Sequence, residues 1–294
     1  MELRQLRYLC AVVDHGGFTA AARHCAVAQP SLSQQILNLE EELGQPLLVR
    51  HPRRVELTEA GEQVVRRARS MLHEAQSLRA EMEKRSGLVE GSVELGVIPT
   101  VAPYLLPPKI RAFQQAHPGV RIQVRERRTS RVIEELVAGR LDFAIVSDIT
   151  TAERQRWSLF VRELFHEKML LAVPKSHPLA LRRGLIGLDE IPKNEVIVLS
   201  DGHCLGDQML SVCRLRRSAD RLECEQLETL LALVGAGLGI GIVPEMAAAL
   251  HQGHDDTVKI RPFKAPQPTR VVNLVKRRAA SLSPAAEALL AHFV

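Results

Sequence analysis

Two cysteines in the C-terminal half of the chain carry the clearest chemical signal. Cys204 follows Asp201-Gly202-His203 at the predicted start of a helix, and Cys213 lies nine residues further on. A thiol reacts with a peroxide as its thiolate, which the positive end of a helix favours. His203 could hydrogen-bond the sulfur or the oxidant. We therefore expect Cys204 to be a water-accessible, low-pKa cysteine and Cys213 to trap its sulfenic acid product.

The spacing of this pair predicts a conformational switch. Nine residues of helix separate Cys204 and Cys213 by about 13 Å along the helix axis, whereas a disulfide needs Cα atoms within about 7 Å. If the segment is helical when reduced, it cannot stay helical throughout when oxidised. The bond would then force local refolding between two states. Finding the reduced cysteines already within bridging distance would contradict this hypothesis.

The remaining cysteines are expected to be small core residues. These are Cys10, Cys25 and Cys224. His203, Cys204, Cys213 and Cys224 lack the short paired spacing of structural zinc sites. We expect no metal, no cofactor and no structural disulfide framework.

A second group of residues, near the N-terminus, has the pattern of a DNA-binding module. An apolar helical run ends at Gly16-Gly17, a short helix capped by Thr19 follows, and a turn leads into a helix over residues 30–43 that Gly44 closes. Two short helices joined by a tight turn form a helix-turn-helix. Polar side chains of the second of these helices could reach base edges. The expected DNA contacts are Gln29, Pro30, Ser31, Ser33, Gln34, Gln35, Arg50, Arg53 and Arg54.

Charge supports this reading only through its placement. The chain has a net charge of +5, but residues 1–90 hold 12 basic and 12 acidic residues and are neutral as a set. Basic residues concentrate at 50–54, in a Pro-containing tip between apolar segments 47–50 and 55–57. We predict a β-hairpin wing beside the DNA backbone; the alternative is a surface loop of ordinary arginines.

Residues 58–85 predict one long helix with a coiled-coil seam. Apolar residues recur every three or four positions for about three heptads, which favours a homodimer; the alternative is a helix lying on its own core. The predicted seam is Val64, Ala68, Met71, Ala75, Leu78 and Met82.

The rest of the chain alternates between strands and helices. This pattern predicts an α/β domain with a largely parallel sheet, long enough for two lobes and a cleft. No targeting signal or bilayer-length apolar run is apparent, so we expect a cytoplasmic protein with no membrane partner. Predicted strands are 93–98, 120–126, 141–146, 168–173, 195–199, 238–243 and 271–275, and predicted helices are 107–117, 130–138, 205–214, 227–236 and 284–293.

Several sequence runs resemble LysR-type transcriptional regulators. FTAAAR (18–23), AQPSLSQQI (28–36), LEEELG (39–44), LLVR (47–50) and LTEAG (57–61) resemble their N-terminal module. GVIPTVAPYLLP (96–107), LSDGHCLGDQ (199–208), LETL (227–230) and GAGLGI (235–240) are similar to the hydrogen peroxide-sensing activators of that family. The likeness spans nearly the whole chain.

The resemblance implies a fold, partners and a pocket. It implies a winged helix-turn-helix (1–58), a coiled-coil linker helix (59–88) and a periplasmic-binding-protein-like sensing domain of two α/β lobes (92–294). Implied partners are inverted-repeat double-stranded DNA, RNA polymerase and further copies of the chain in a homotetramer, with hydrogen peroxide as the signal. Thr100 by motif and Thr129 by position match hydroxyls of the peroxide pocket. Gly206 stands where the family often has a basic residue.

Two rival readings remain open. A regulator of the same fold could bind a small metabolite in the cleft, with Thr100, Thr129 and His203 as ligand contacts and the cysteines incidental. A thiol enzyme is the other, but no Cys/His/Asn or Ser/His/Asp set is apparent, and the helix-turn-helix would be unexplained. We therefore expect a regulator and no enzyme.

Overall fold

Three helices and a two-stranded hairpin form the N-terminal region. The computed structural model describes residues 1–51, 54–83, 89–200, 202, 204–216, 218, 221–251, 256–278 and 281–294. The helices share one core in which Leu9, Leu32 and Ile36 have no exposed surface. The predicted helix-turn-helix and wing are confirmed. The elements are α1 Leu3–Asp14, α2 Phe18–His24, α3 Gln29–Leu43 and the antiparallel pair β1 Leu48–Arg50 and β2 Val55–Leu57.

The helix ends in this region were predicted with one error. Gly44 ends α3 in the left-handed conformation at φ +65°, as expected. The N-cap of α2, however, is Gly17. Thr19 therefore lies inside the first turn and does not cap the helix, because the chain becomes helical two residues earlier than the capping rule suggested.

The long helix α4, Glu59–Glu83, docks on this core through its first half. Gly61 is needed there, because a Cβ atom would lie 2.0 Å from the carbonyl oxygen of Leu47. Val64 and Ala68, two predicted seam positions, pack on the same core. At those two positions the helix covers its own domain, which is the alternative to a seam. Met71 and Leu78 are 44% and 60% exposed, and dimerisation through α4 stays a prediction.

The following region is built on one mixed sheet in the order β10-β6-β11-β5-β3-β4, with β9 also paired to β6. β3 is parallel to β4 and β5, whereas β6 and β11 run antiparallel to every strand they pair with. The strands are β3 Gly91–Val97, β4 Val120–Glu126, β5 Phe143–Ser147, β6 Leu159–Pro174, β7 Val198–Leu199, β8 Glu223–Cys224, β9 Gly241–Pro244, β10 Val258–Arg261 and β11 Thr269–Arg277.

Two cores define the two lobes. We name as lobe I the core that contains Phe143 and Leu274, and as lobe II the core that contains Leu171 and Val198. β6 carries the chain from lobe I to lobe II, and β11 carries it back. The predicted largely parallel sheet is wrong for this reason, because the returning strands must run opposite to their neighbours.

Helices cover both lobes. The 3₁₀ turn at Leu188–Glu190 lies in the connection between β6 and β7. Within the described residues, no helix has the length and apolar character needed to cross a membrane. The helices are α5 Ala102–Ala116, α6 Thr129–Val137, α7 Thr151–Arg156, α8 Pro178–Leu181, α9 Cys204–Val212, α10 Leu227–Gly235, α11 Glu245–His251 and α12 Pro284–Phe293.

Candidate thiol site and nucleic-acid interface

Cys204 lies where the two lobes meet. It is the first residue of α9, half-buried, and its side chain packs against the core of lobe I. The next residues of the same helix, Leu205 and Met209, have no exposed surface and pack in the core of lobe II. The thiol is therefore held across the junction by a helix anchored on the opposite lobe.

The surroundings of this thiol act on its pKa in both directions. Burial raises the pKa of Cys204 most strongly, while the Thr129 hydroxyl and the positive charge of Arg270 lower it and Asp148 raises it. The balance is a raised pKa. The expectation of a low-pKa thiol at the helix N-terminus is thus wrong, because packing against lobe I removes water that would stabilise the thiolate.

Cys213 lies at the other end of α9 in different surroundings. It is 3% exposed in the core of lobe II, and burial raises its pKa to about 11. Its backbone N–H donates to Met209 O at 3.0 Å, so helical hydrogen bonding continues to this residue. Nine helical steps place it about 13 Å from Cys204 along the axis. Both thiols are free, and the switch that their spacing suggests stays a prediction.

The other three cysteines occupy core or partly buried positions. Cys10 is buried in the N-terminal core, where burial raises its pKa to about 11. Cys25 packs partly against that core, and Cys224 against lobe II. Within the described part of the chain, no group of three or more His, Cys, Asp or Glu side chains is placed to hold a metal ion.

Thr100 belongs to a fully buried ionic network. Its hydroxyl and carbonyl oxygens each accept a hydrogen bond from the Arg270 guanidinium at 2.9 Å. Arg270 also donates to a Glu167 carboxylate oxygen at 2.7 Å, and the other Glu167 oxygen accepts from Met246 N at 2.9 Å. Arg270 is 1% and Glu167 2% exposed. Neither Arg270 nor Glu167 was predicted from the sequence, although each is a charged residue beside an apolar strand run, which is a visible signal.

A second set of polar side chains lies on the face of α9 that carries the thiol. The Gln208 amide nitrogen donates to Ser147 Oγ at 3.2 Å, and Ser147 donates to Asp148 at 3.0 Å. Gln208 lies four residues after Cys204, hence on the same helix face. That spacing would have identified it, whereas nothing in the sequence pointed to Ser147.

Three buried hydroxyl or amide oxygens have no hydrogen-bond partner of normal geometry among the described residues. They are Thr129 Oγ1, which acts on the pKa of Cys204, Gln208 Oε1 and Ser200 Oγ. Buried oxygens usually have partners, so these atoms are available to accept hydrogen bonds from a water or a small polar molecule. His203, the other predicted pocket residue, lies outside the described residues.

Two polar contacts close the junction beside the thiol. Tyr104 of α5 donates a hydrogen bond from its hydroxyl to Glu228 of α10 at 3.0 Å. Arg128, just before α6, forms an ion pair with Glu225. These contacts join segments on both sides of the junction, so a change at α9 would act on a contact surface that contains polar contacts.

The predicted DNA-contacting residues lie on the outer face of the N-terminal region. On α3, Gln29, Pro30, Ser31 and Gln34 are exposed, while Ser33 and Gln35 are half-buried. The buried face of α3 carries the core residues, which leaves the polar face free for a DNA groove.

The described arginines of the wing form ion pairs with carboxylates. Arg50 pairs with Glu40 at 3.3 Å and lies over the Phe18 ring at 5.0 Å, and Arg54 pairs with Glu56 at 3.0 Å. Arg53 lies outside the described residues. Arg54 is 69% exposed, and its contact with DNA stays a prediction.

Comparison with known proteins adds independent information. A family model described as "Bacterial regulatory helix-turn-helix protein, lysR family" matches residues 3–62, and "LysR substrate binding domain" matches residues 86–294. A Haemophilus influenzae protein named "Hydrogen peroxide-inducible genes activator" is 37% identical over 279 residues, covering 94% of this chain and 91% of the relative.

Two solved structures are similar over nearly the whole chain. A full-length OxyR variant from Pseudomonas aeruginosa matches with a TM-score of 0.85 at 29% identity, covering 100% of this chain and 94% of that one. A hydrogen peroxide-bound OxyR mutant from Corynebacterium glutamicum matches with a TM-score of 0.62 at 27% identity, covering 99% and 90%. The similarity therefore includes both the helix-turn-helix and the two lobes.

Proposed function

The chain belongs to the LysR family of DNA-binding transcriptional regulators, and we propose that hydrogen peroxide controls its activity through Cys204 and Cys213. The observation that carries the proposal is the thiol at the lobe junction beside buried oxygens that lack partners. A peroxide molecule offers two O–H donors and several lone pairs, so it could satisfy Thr129 and Gln208 while one oxygen faces the sulfur. The names of the similar proteins support the same signal.

The proposed chemistry takes two balanced steps. The Cys204 thiolate attacks one peroxide oxygen, the O–O bond breaks, and the departing hydroxide takes a proton to become water, so the sulfur is oxidised to sulfenic acid and the peroxide is reduced. The Cys213 thiolate then attacks the sulfenic sulfur, the S–O bond breaks, and the departing hydroxide takes a proton to become the second water as the disulfide forms. The raised pKa of Cys204 makes positioning of the peroxide important, because few molecules are thiolates at neutral pH.

The disulfide would act through the helix that separates the sulfurs. Because α9 holds the two residues about 13 Å apart, the bond requires the helix to unwind and pulls Leu205 and Met209 from the core of lobe II. Such a change alters the junction of the lobes, and through it the arrangement of the DNA-binding regions.

The wider assembly is part of the proposal. Residues 1–58 would bind inverted-repeat promoter DNA in the cytoplasm, residues 59–88 would join two chains through α4, and residues 92–294 would sense the oxidant within a tetramer that contacts RNA polymerase. The protein would consume peroxide only stoichiometrically, because the disulfide ends the reaction until a thiol reductant restores it. Consumption well beyond one equivalent without reductant would favour an enzyme instead.

DNA footprinting of reduced and peroxide-treated protein tests the proposal. We expect peroxide to change the footprint of the wild type and of Cys224→Ser, a matched control whose thiol lies outside the site, but not that of Cys204→Ser. An unchanged wild-type footprint, or a response that survives in Cys204→Ser, would contradict the proposal. Unreactive thiols would favour a small metabolite as the ligand of the junction.

A further inference from the structure

We propose that Ser147 is a positioning residue of the thiol site: it fixes the orientation of the Gln208 side-chain amide so that the carbonyl oxygen of Gln208 is presented to a molecule beside Cys204. The inference deepens the proposed function and rests on it, because it concerns how peroxide is held. It depends on a chain of hydrogen bonds that has only one consistent direction.

The chain of hydrogen bonds begins at Asp148. One oxygen of its carboxylate accepts from the backbone N–H of Val271 at 3.1 Å, and the other accepts from Ser147 Oγ at 3.0 Å. A carboxylate can accept hydrogen bonds but has none to donate. The single hydroxyl proton of Ser147 is therefore committed to Asp148.

The committed proton of Ser147 also determines the orientation of the Gln208 amide. With its proton committed, Ser147 Oγ can offer only lone pairs, so the group of Gln208 that faces it at 3.2 Å must be the NH₂. Ser147 has no exposed surface, which leaves no solvent to replace the bond. The Gln208 carbonyl oxygen must then face away from Ser147, and it is the buried, unpartnered atom found there.

The orientation matters because of what lies beside the amide. Gln208 shares a helix face with Cys204, and the buried Thr129 hydroxyl acts on the same sulfur. A carbonyl oxygen accepts an O–H of the peroxide and can hold the O–O bond near the thiol. A reversed amide would present N–H groups instead, which cannot accept that proton. Ser147 thus acts through Gln208 on the position of the oxidant.

The first test compares two reagents on one thiol. Rates of Cys204 modification by hydrogen peroxide and by iodoacetamide are followed by mass spectrometry of the peptide 194–214. In Ser147→Ala the amide is free to turn, and we expect the peroxide rate to fall about 5- to 10-fold. Iodoacetamide needs a thiolate but no ordered acceptor, so its rate should stay within about 2-fold of the wild type. Ser176→Ala, an exposed serine in the turn after β6, is the matched control.

The second test reverses the chain of hydrogen bonds. In Asp148→Asn the amide oxygen stays on the Val271 N–H, which leaves an NH₂ facing Ser147. Ser147 Oγ then accepts from that NH₂, which frees its own hydroxyl proton to donate to Gln208, and we expect the Gln208 amide to turn over and accept it. Loss of the negative charge also lowers the pKa of Cys204. We expect faster reaction with iodoacetamide but a peroxide-to-iodoacetamide rate ratio about 5- to 10-fold below that of the wild type.

The outcomes separate the inference from the proposed function. If wild-type Cys204 reacts with iodoacetamide but is never oxidised by peroxide, the proposed function fails and the inference fails with it. If the wild type is oxidised while Ser147→Ala or Asp148→Asn keeps the wild-type rate ratio, the inference alone is overturned. A purely structural defect would lower both rates together, which also contradicts the inference.

Discussion

Glu167→Gln should destabilise the two-lobed region far more than Glu163→Gln, which is the same change four residues earlier on β6. Both Glu167 oxygens accept hydrogen bonds, one from the Arg270 guanidinium and one from Met246 N. The NH₂ of glutamine must face one of these donors, so at least one bond is lost. Arg270, which is 1% exposed, also loses its counter-charge.

The magnitude follows from burial. Breaking a buried ion pair by removing one partner costs roughly 3–5 kcal/mol, and we expect about 3 kcal/mol here because glutamine keeps one accepting oxygen. Glu163 on the same strand pairs with His166 at 2.7 Å, but the two side chains are 53% and 59% exposed. Solvent screens such a pair, so Glu163→Gln should cost below about 0.5 kcal/mol.

Urea unfolding followed by tryptophan fluorescence measures this difference. The only tryptophan of the chain, Trp157, packs against the core of lobe I and reports on this region. For an m-value of about 2–3 kcal/mol/M, the unfolding midpoint of Glu167→Gln should fall by about 1–1.5 M, and that of Glu163→Gln by about 0.2 M. Equal shifts for the two variants would refute the reasoning from burial.

Three further predictions concern the thiols and the wing. Cys213→Ser should leave Cys204 oxidisable but accumulate sulfenic acid, measured by dimedone labelling; a disulfide forming at the same rate would exclude Cys213 as its partner. Because burial raises the pKa of Cys204, its alkylation rate should still climb above pH about 9.5, where an unperturbed thiol with a pKa of about 8.5 is roughly nine-tenths ionised and its rate levels off; a plateau at or below that pH would contradict the assigned direction. Arg54→Ala should weaken DNA binding about equally for all sequences and reduce the salt slope by about 1, as measured by fluorescence anisotropy; loss confined to the operator would instead indicate base readout.

The N-terminal region was predictable because local signals decide it. Leu32 and Ile36 recur at helical spacing, Gly44 supplies the left-handed end, and apolar segments flank the wing. The first half of β6 was missed, since its residues Leu159–His166 pair in the middle of the sheet with polar neighbours that break the apolar pattern. Strand direction was also missed, because it follows from how β6 and β11 connect the lobes.

The candidate site was predictable only in part. Cys204 and Cys213 stand out by residue type and by the helix between them, and the two threonines were placed through the resemblance. Arg270 acts on this site from a strand 66 positions further along the chain. The sequence does not show which charges meet across such a distance. For the same reason it does not show the burial that raises the pKa of Cys204. The direction of a hydrogen-bond chain such as that of Ser147 needs atomic distances.

The most direct test of the central claim is mass spectrometry of the reduced protein after one equivalent of hydrogen peroxide. A single tryptic peptide, residues 194–214, contains both Cys204 and Cys213. Peroxide sensing through this pair predicts that the peptide loses two hydrogen atoms and that Cys204→Ser abolishes the loss, while Cys224→Ser does not. A wild-type peptide that keeps both thiols reduced would contradict peroxide sensing through this pair.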